Sequence, residues 1–494
     1  MLTDDTGIDR RILQEAVTLI DDGHQVIVIG RADEVHPAHE IIDGVRIERI
    51  VDQAAGRSML FGSKLVQILT NAINAGSAAN QRAMGRVIGW MFRVLRRVIR
   101  GWFALGTGDL GESARAAERH RSTLVATERA QERVGGVLVR VVAKGWWLVG
   151  MLNHRIGRPV ITWAASAHST RSALPPRDAY LSQRAAYYRP DVVHAHDLPQ
   201  LRAGLAAARM CKVPLVYDMH ELYPEIGTLT EAQQRSLGEL ENDLIRDCSA
   251  TITVNPYIAR EIAKRYVVPE PQVILNAIDP YGDDVVADRR FHNKLGLDDS
   301  DRVLLFQGWM SETRGLDLLI EAVALTSPSV HLVLMGYGDI KGDLAALAEA
   351  RSIDHRVHII DAVPQAELLG WTRAADAGVI PYPAIDLNHH LCSPNKLFEF
   401  IQSGLPIVAN DLPFLRDVVV GESIGYVAKI EDEDAFASAI DDVLGLGPSV
   451  PEIDFGANLR RAAPRYSWAS QEPVLRAIYL DIVSEPVGTE RRNQ

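Results

Sequence analysis

The sequence predicts an α/β protein made of two parallel-sheet domains. Short β-branched runs alternate with helical patterns along most of the chain, and each run closes in polar or glycine residues. This alternation is typical of parallel strands, whose carboxyl ends collect ligands. With 494 residues and about a dozen predicted strands, the chain is too long for one ordinary domain and one sheet.

The predicted elements follow in chain order. A helix over 8–22 precedes a strand over 24–30. Nine further strands are predicted over 191–197, 214–220, 250–254, 272–276, 302–308, 331–336, 357–361, 377–382 and 406–411. The polar segment after Asn276 has the composition of an interdomain linker.

These elements define the expected domains. The ranges are 1–57 with 159–278 for the N-terminal domain, 58–158 for a helical insertion within it, 279–465 for the C-terminal domain, 466–485 for a helix that crosses back to the N-terminal domain, and 486–494 for a disordered tail. Three scattered cysteines cannot form a disulfide framework, and the N-terminus has no secretory signal pattern. Because no window offers about 20 uncharged apolar residues for a membrane span, we expect a cytoplasmic protein.

The predicted insertion differs in composition from the rest of the chain. Residues 82–158 carry a formal charge of +10, whereas the whole chain carries −12 and the remainder therefore −22. On the predicted helices the basic side chains share narrow faces beside wide tryptophan and aliphatic faces, which is typical of helices in a membrane interface. The expected membrane-contact residues are Arg86, Trp90, Arg93, Arg97, Arg100, Trp102, Arg140, Lys144, Trp146 and Trp147. We therefore expect peripheral binding to the anionic inner face of the plasma membrane.

Three other interpretations of this insertion remain open. A re-entrant or short membrane-spanning segment around 134–152 is one, although two cations near its middle make it costly. A helical hairpin packed on the main body would leave its arginines merely solvated, although like charges at i,i+3 and i,i+4 repel. Binding to nucleic acid would leave the apolar faces without a partner, so we expect no nucleic-acid ligand.

The densest chemical signal lies in residues 391–411. Ser393 is a suitable N-cap and Pro394 a suitable first residue for a helix, whose free amides would bind an anion. Lys396 in the first turn opposes the helix dipole unless an anion offsets it. On the same face, the Glu399 carboxylate can accept hydrogen bonds from sugar hydroxyls. The alternative is a capped surface helix with a Lys–Glu pair.

A second loop, 308–315, has the same chemistry. It follows a predicted strand and leads into a helix, so Arg314 also lies at a helix start, where a phosphate would offset its charge. Two such turns, each with a cation, predict a clamp for a diphosphate. Gly336 and Gly338 could bring backbone close to a ligand, although such a pair is more often only a turn.

In their order along the chain, these motifs resemble those of the GT-B glycosyltransferases of family 4, a retaining family that uses nucleotide-sugar donors. Residues 9–16, Asp-Arg-Arg-Ile-Leu-Gln-Glu-Ala, are similar to the family's Asp-Pro-Arg-Val-Leu-Arg-Glu-Ala opening. The other matching segments are Gly23–Val26, 191–198 and 216–225 at two strand ends facing the cleft, 274–276 at the hinge, and 393–411 at the donor helix. The resemblance implies two Rossmann-like domains that face a cleft.

The resemblance also implies roles for single residues. His220 matches the catalytic histidine that faces the transferred sugar, Arg314 the lysine of the phosphate-binding pair, and Glu399 the second glutamate of the E-x7-E motif, which holds the donor ribose. The other residues assigned to donor binding are Lys396, Asn395, Ser393 and Gly308. The residues assigned to the acceptor side are Arg11, His196, Asp197 and Glu221.

The chain departs from the family pattern at three places. The first basic residue of the phosphate pair falls on Trp309, and the first glutamate of E-x7-E falls on Leu391. Lys396 is the expected substitute for the missing cation. The first strand is reduced to residues 1–3, which predicts either a late chain start or a sheet without its central strand.

We therefore expect a retaining glycosyltransferase of the hexosyltransferase type in cell-envelope glycan biosynthesis. It would move a sugar from a UDP- or GDP-sugar to a lipid-linked or membrane-held glycan acceptor. A nucleotide-sugar epimerase on the same scaffold and a catalytically degenerate membrane-associated assembly protein are the alternatives. We expect no cofactor and no metal, because the acids at 432–434 suit a helix start and the cations above can stabilise the leaving diphosphate.

Overall fold

The computed structural model describes residues 1–50, 174–280, 288–447 and 453–484. The described residues up to 50 and from 178 onward belong to one compact unit. The predicted insertion at 58–158, with all ten expected membrane-contact residues, and the tail at 486–494 lie outside the described residues. The described part confirms the α/β class with two parallel-sheet domains.

Helices and strands alternate through both domains. The helices are α1 (Arg10–Asp21), α2 (Pro176–Tyr187), α3 (Leu198–Cys211), α4 (Glu231–Ile245), α5 (Pro256–Tyr266), α6 (Arg290–Leu295), α7 (Leu316–Leu325), α8 (Lys341–Ala350), α9 (Gln365–Arg373), α10 (Leu387–His390), α11 (Asn395–Gln402), α12 (Pro413–Val419), α13 (Glu433–Val443), α14 (Phe455–Ala462) and α15 (Trp468–Ser484). The strands are β1 (Ile27–Arg31), β2 (His39–Ile42), β3 (Val45–Ile50), β4 (Val193–His196), β5 (Leu215–Met219), β6 (Ala250–Thr253), β7 (Gln272–Val273), β8 (Arg302–Trp309), β9 (Val330–Tyr337), β10 (Val357–Asp361), β11 (Ala377–Ile380), β12 (Ile407–Asn410) and β13 (Gly425–Ala428). None of the helices in these ranges is both long enough and apolar enough to cross a membrane.

The N-terminal sheet contains one antiparallel pair that the sequence reading missed. Strands β2 and β3 form a hairpin, while β3 pairs with β1 in parallel. The loop is Asp43-Gly44, and both residues have positive φ, 50° and 82°. Asp-Gly is the sequence that two-residue hairpin turns prefer, so the signal for this hairpin was present in the sequence.

Residues 1–3 fill the centre of the N-terminal sheet. Leu2 bridges in parallel to Ile29 of β1 on one side and to Ala195 of β4 on the other, and its side chain is buried. The Leu2 amide donates to the His194 carbonyl at 2.8 Å, and the His196 amide donates to the Leu2 carbonyl at 2.9 Å. The expectation that the sheet lacks a central strand is therefore wrong, because even this short segment connects the two halves of the sheet.

The C-terminal sheet has the order β10-β9-β8-β11-β12-β13, with every pair parallel. Its central strands are largely apolar and buried, as in other parallel sheets covered by helices, whereas the edge strands β10 and β13 are mostly part-buried. The strand order reverses between β8 and β11. In such sheets a ligand crevice forms beyond the carboxyl ends of the strands at that reversal.

Helix α15 packs on the N-terminal domain although it follows the C-terminal domain in sequence. Trp468, Leu475 and Tyr479 share an apolar cluster with Leu19 of α1 and Val216 of β5. The Trp468 indole nitrogen also donates to Thr18 Oγ1 at 2.9 Å. This helix therefore links the end of the C-terminal domain to the first sheet.

Candidate active site

Two cations meet on one aromatic ring at the reversal of the C-terminal sheet. Arg314 lies in the short turn after β8, Tyr382 lies just after β11, and Lys396 is the second residue of α11. The Arg314 Cζ and the Lys396 Nζ each lie 4.4 Å from the centre of the Tyr382 ring. The Lys396 ammonium also donates to Tyr382 Oη at 2.6 Å. The crevice thus brings together both cations that the sequence assigned to phosphate.

The charge of these cations is not balanced locally. Within the described residues neither Arg314 nor Lys396 forms an ion pair with an acidic side chain, and Arg314 Nε is buried without a hydrogen-bond partner. Burial lowers the pKa of Lys396 well below its ordinary value, and the charge of Arg314 lowers it further. Since buried charges need partners, this arrangement favours a bound anion.

The carboxylate of Glu399 lies one turn deeper on α11. Its Oε1 accepts from Arg10 Nη1 at 2.8 Å, and its Oε2 accepts from Gln307 Nε2 at 2.6 Å. Gln307, on β8, is itself held because its Oε1 accepts from Thr372 Oγ1 at 2.8 Å. The carboxylate therefore has a fixed direction, and it is buried beside the cation pair.

The start of α11 differs from the expectation. Its first residue is Asn395, and Pro394 is the N-cap with ψ of 132°, so its extended backbone lies outside the helix. Ser393 is not the N-cap. Its Oγ is buried without a partner, while its carbonyl accepts from Asn276 Nδ2 at 3.4 Å. Asn395 is exposed in the first turn.

The glycines near the crevice are required by backbone packing. Gly308 has φ of 118°, and Gly336 lies beside it on the paired strand β9. A Cβ at Gly336 would lie 1.9 Å from the Gly308 carbonyl oxygen, and one at Gly338 would lie 2.0 Å from that of Met310. Both contacts are with protein backbone, so backbone packing by itself already requires glycine at Gly336 and Gly338.

The N-terminal domain contributes a charged histidine. His220, directly after β5, has Nε2 3.3 Å from Asp218 Oδ2 and Nδ1 3.5 Å from Asp197 Oδ2. Burial by itself lowers the pKa of His220, but the two carboxylates outweigh it and raise the pKa to about 10. His220 is therefore a cation at neutral pH, and its side chain stays 19% exposed.

Arg11 and His196, which we assigned to the acceptor side, are buried within the protein. The Arg11 guanidinium donates to both oxygens of Asp218, at 3.1 and 3.0 Å, and to the Ile274 carbonyl at 2.6 Å. The acceptor-side prediction for Arg11 is corrected accordingly: it ties α1 to β5 and to the hinge. His196 is 1% exposed, and burial lowers its pKa to about 4, so it stays neutral behind His220.

The other two acceptor-side residues lie nearer the cleft. Asp197 is 30% exposed at its side chain, and its Oδ1 accepts from the His220 amide at 3.0 Å. Glu221 accepts from Asn388 Nδ2 of the C-terminal domain at 3.0 Å. Burial and the charge of Asp197 raise the pKa of Glu221, while Asn388, His220 and Arg314 act in the opposite direction. Charges from both domains therefore act on Glu221.

Four buried side chains of the N-terminal domain have the composition of a metal site. Potential ligand atoms of Glu15, His194, His196 and Asp218 lie within 4.8 Å of one another. The Arg11 Nε already lies 3.0 Å from Glu15 Oε1, and its guanidinium pairs with Asp218, so a metal ion would meet a cation there. Among the acids at 432–434, Asp432 caps α13 by accepting from the Ala435 amide at 3.1 Å.

Several residues of the site were not predicted from the sequence. They are Arg10, Gln307, Tyr382, Asn388 and Asp218. Arg10 had a signal, because the family opening has proline at that position. Tyr382 also ends a predicted strand on the same edge as Arg314. No sequence signal pointed to Gln307 or Asn388, since the residues that they contact are distant in sequence.

Cations at the reversal of one doubly wound sheet, opposite the strand ends of a second sheet, are the arrangement of a GT-B glycosyltransferase, and solved structures share this fold. Sucrose-phosphate synthase from Thermosynechococcus elongatus is similar with a TM-score of 0.57 over 97% of both chains, at 14% identity. Anabaena Alr3699/HepE, solved with UDP and glucose, has a TM-score of 0.51 at 17% identity, over 62% of this chain and 82% of that one.

Sequence comparison names the family. The Glycosyltransferase Family 4 profile matches residues 112–281, and the Glycosyl transferases group 1 profile matches residues 301–445. The chain is 28% identical to D-inositol 3-phosphate glycosyltransferase of Xylanimonas cellulosilytica, over 58% of this chain and 71% of that protein. It is 25% identical to glycogen synthase of Mycobacterium tuberculosis, over 59% and 69%. The chain belongs to the GT-B glycosyltransferases of family 4, which use nucleotide-sugar donors.

Proposed function

We propose that this glycosyltransferase moves a hexose from a UDP- or GDP-sugar to a lipid-linked or membrane-held glycan acceptor, with retention of configuration. The proposed nucleotide-sugar donor rests on the two cations that contact the Tyr382 ring. Neither cation has an acidic partner in the described chain, and Lys396 lies about one turn from Glu399 on α11. A diphosphate fits two such cations, and a carboxylate beside it fits the ribose hydroxyls. The UDP in the Anabaena structure favours uridine as the base.

The chemistry follows from where charge develops. The bond from the anomeric carbon to the diphosphate oxygen breaks while the acceptor hydroxyl oxygen bonds to that carbon, and the hydroxyl proton leaves with the departing diphosphate. Arg314 and Lys396 stabilise the leaving diphosphate, and the His220 cation lies on the opposite face of the cleft. No metal is needed for this stabilisation. Retention rests on the family resemblance.

The proposed membrane-held acceptor rests on the distribution of charge along the chain. The insertion carries +10 in residues 82–158, against −22 for the remainder. A body of that charge is repelled by anionic lipid, so the insertion is the segment able to hold the enzyme at the inner face of the membrane. The names of the relatives point to other acceptors, inositol phosphate among them. Transfer to a soluble phosphorylated acceptor would therefore contradict the proposed membrane-held acceptor.

The proposed donor site can be tested at Glu399. Glu399→Ala should abolish release of nucleoside diphosphate from the productive nucleotide sugar, because the donor loses its ribose acceptor. A melting-temperature panel of UDP, GDP, ADP and their sugars with the wild type identifies that nucleotide. Glu349→Ala, on the exposed face of α8, is the matched control and should keep wild-type turnover.

Three results would count against the proposal. Full turnover in Glu399→Ala would refute the site assignment. Isomerised donor in the absence of acceptor would indicate an epimerase. The lack of any melting shift with every nucleotide would indicate a degenerate assembly protein.

A further inference from the structure

Arg10 reaches the donor side of the cleft from the opposite domain. It is the first residue of α1, yet its Nη1 lies 2.8 Å from Glu399 Oε1 on α11. Its side chain is 26% exposed and that of Glu399 is 9% exposed, so the pair lies at the edge of the buried site. The similar family opening has proline here, whose ring can form no such contact.

Each domain thus holds one oxygen of the same carboxylate. Gln307 of the C-terminal sheet donates to Oε2 at 2.6 Å, and Arg10 of the N-terminal domain donates to Oε1. A carboxylate can accept about four hydrogen bonds, so two more acceptor positions remain for a pair of hydroxyls. The direction of those positions is set by the two donors already present.

In this chain the proposed contact to the donor sugar depends strongly on the orientation of the Glu399 carboxylate. Leu391 replaces the first glutamate of the family motif, and its apolar side chain accepts no hydrogen bond. Lys396 is the other cation near Glu399, and the charge of Glu399 raises the pKa of Lys396 against the effect of burial. Without Arg10, Lys396 is the cation whose charge still acts on this carboxylate.

We propose that Arg10 is a positioning residue of the donor site: it holds the Glu399 carboxylate towards the donor ribose from across the cleft. The inference rests on the proposed function, because it assigns Glu399 to the ribose. It makes tight donor binding depend on the closed arrangement of the two domains. Arg10 acts here through Glu399 and makes no phosphate contact of its own.

The experiment measures UDP and GDP binding by calorimetry, together with donor and acceptor KM where turnover is seen. For Arg10→Ala we expect the Kd of the nucleotide that the wild type binds to rise about tenfold, as for loss of one charged contact worth about 1.4 kcal/mol. Arg10→Lys should restore part of the affinity. Donor KM should rise more than kcat falls, with acceptor KM unchanged. Arg209→Ala removes an exposed ion pair to Asp247 and is the control.

A double variant separates the proposal from its rivals. If Arg10 acts through Glu399, Arg10→Ala combined with Glu399→Gln binds nucleotide as weakly as Glu399→Gln alone. Additive losses would instead make Arg10 an independent phosphate ligand and overturn the inference. An unchanged Kd in Arg10→Ala would overturn it as well. If the wild type binds neither nucleotide, the proposed function fails, and the inference fails with it.

Discussion

At the scale of single residues, the active site depends on where charges are buried. Asp197 and Asp218 keep His220 protonated, whereas His196 beside it stays neutral because burial dominates. The His196 Nδ1 and the His220 Nε2 lie 3.2 Å apart. Two adjacent histidines therefore have opposite charge states, and carboxylate proximity decides which of them is the cation.

Replacing Asp197 should lower the pKa of His220. In Asp197→Asn the amide oxygen can still accept from the His220 backbone, but one of the two charges is gone. Asp197 and Asp218 raise the pKa of His220 to about 10 in the wild type, and we expect that pKa to be lower in the variant. NMR titration of the histidine rings in both proteins is the measurement. Asp247→Asn, far from the cleft, is the control, and an unchanged His220 pKa in Asp197→Asn would contradict the assignment.

The same substitution has a pH-dependent effect on stability. Because the folded pKa of His220 lies above the ordinary value of 6.5, its protonated form stabilises the protein fully below pH 6.5, and that stability is lost as pH rises towards 10. The difference in the free energy of unfolding between wild type and Asp197→Asn should therefore be larger at pH 6 than at pH 10, as measured by urea denaturation.

At the scale of elements, the loop after β8 is shaped by the close approach of its neighbour β9. Gly308 and Gly336 pair across these strands, as do Trp309 and Tyr337. The two aromatic side chains are 51% and 64% exposed, so the edge that faces the crevice is built by backbone approach rather than by side-chain packing. The position of Arg314 depends on this geometry.

Gly336→Ala should destabilise the C-terminal domain. Its Cβ would lie 1.9 Å from a backbone oxygen that cannot move without breaking the strand pair, and we expect a loss of roughly 3 kcal/mol in the free energy of unfolding. Gly342→Ala in α8 is the matched control, since its Cβ meets nothing within 4 Å. Equal urea midpoints for the two variants would refute this account.

At the scale of the whole molecule, the chain crosses between its domains more than once. Residues 1–3 and α15, the first and last described segments, both complete the N-terminal sheet or its covering layer. Asn276 at the hinge accepts from Arg11 at 3.1 Å and donates to the Ser393 carbonyl at 3.4 Å. The hinge therefore contacts both faces of the cleft.

Binding of the whole molecule to anionic membranes can be tested by reversing charges in the insertion. Changing Arg86, Arg93, Arg97 and Arg100 together to Glu should prevent flotation with phosphatidylglycerol vesicles, because it reverses the charge that attracts anionic lipid. Arg209→Glu with Arg235→Glu, on the exposed surface of the described unit, is the control. Flotation of the four-fold variant at the wild-type level would contradict the assignment.

The sequence alone predicted the α/β class, nine of the ten strands from β4 to β13, and the family, and it singled out Arg314 and Lys396, the two cations of the crevice. These are local signals: hydrophobic alternation, helix-start chemistry and motif order are all legible within short windows. Helix-start chemistry also singled out Arg314 and Lys396 as cations that oppose a helix dipole unless an anion offsets them.

Only the tertiary structure decided which side chains meet. Arg10 and Glu399 are 389 positions apart, and no local pattern brings them together. The sequence analysis assigned Arg11 and His196 to the acceptor side, yet both are buried in a charge network with Asp218. Burial and long-range pairing depend on how the two sheets fold against one another, whereas strand and helix patterns depend on neighbours along the chain.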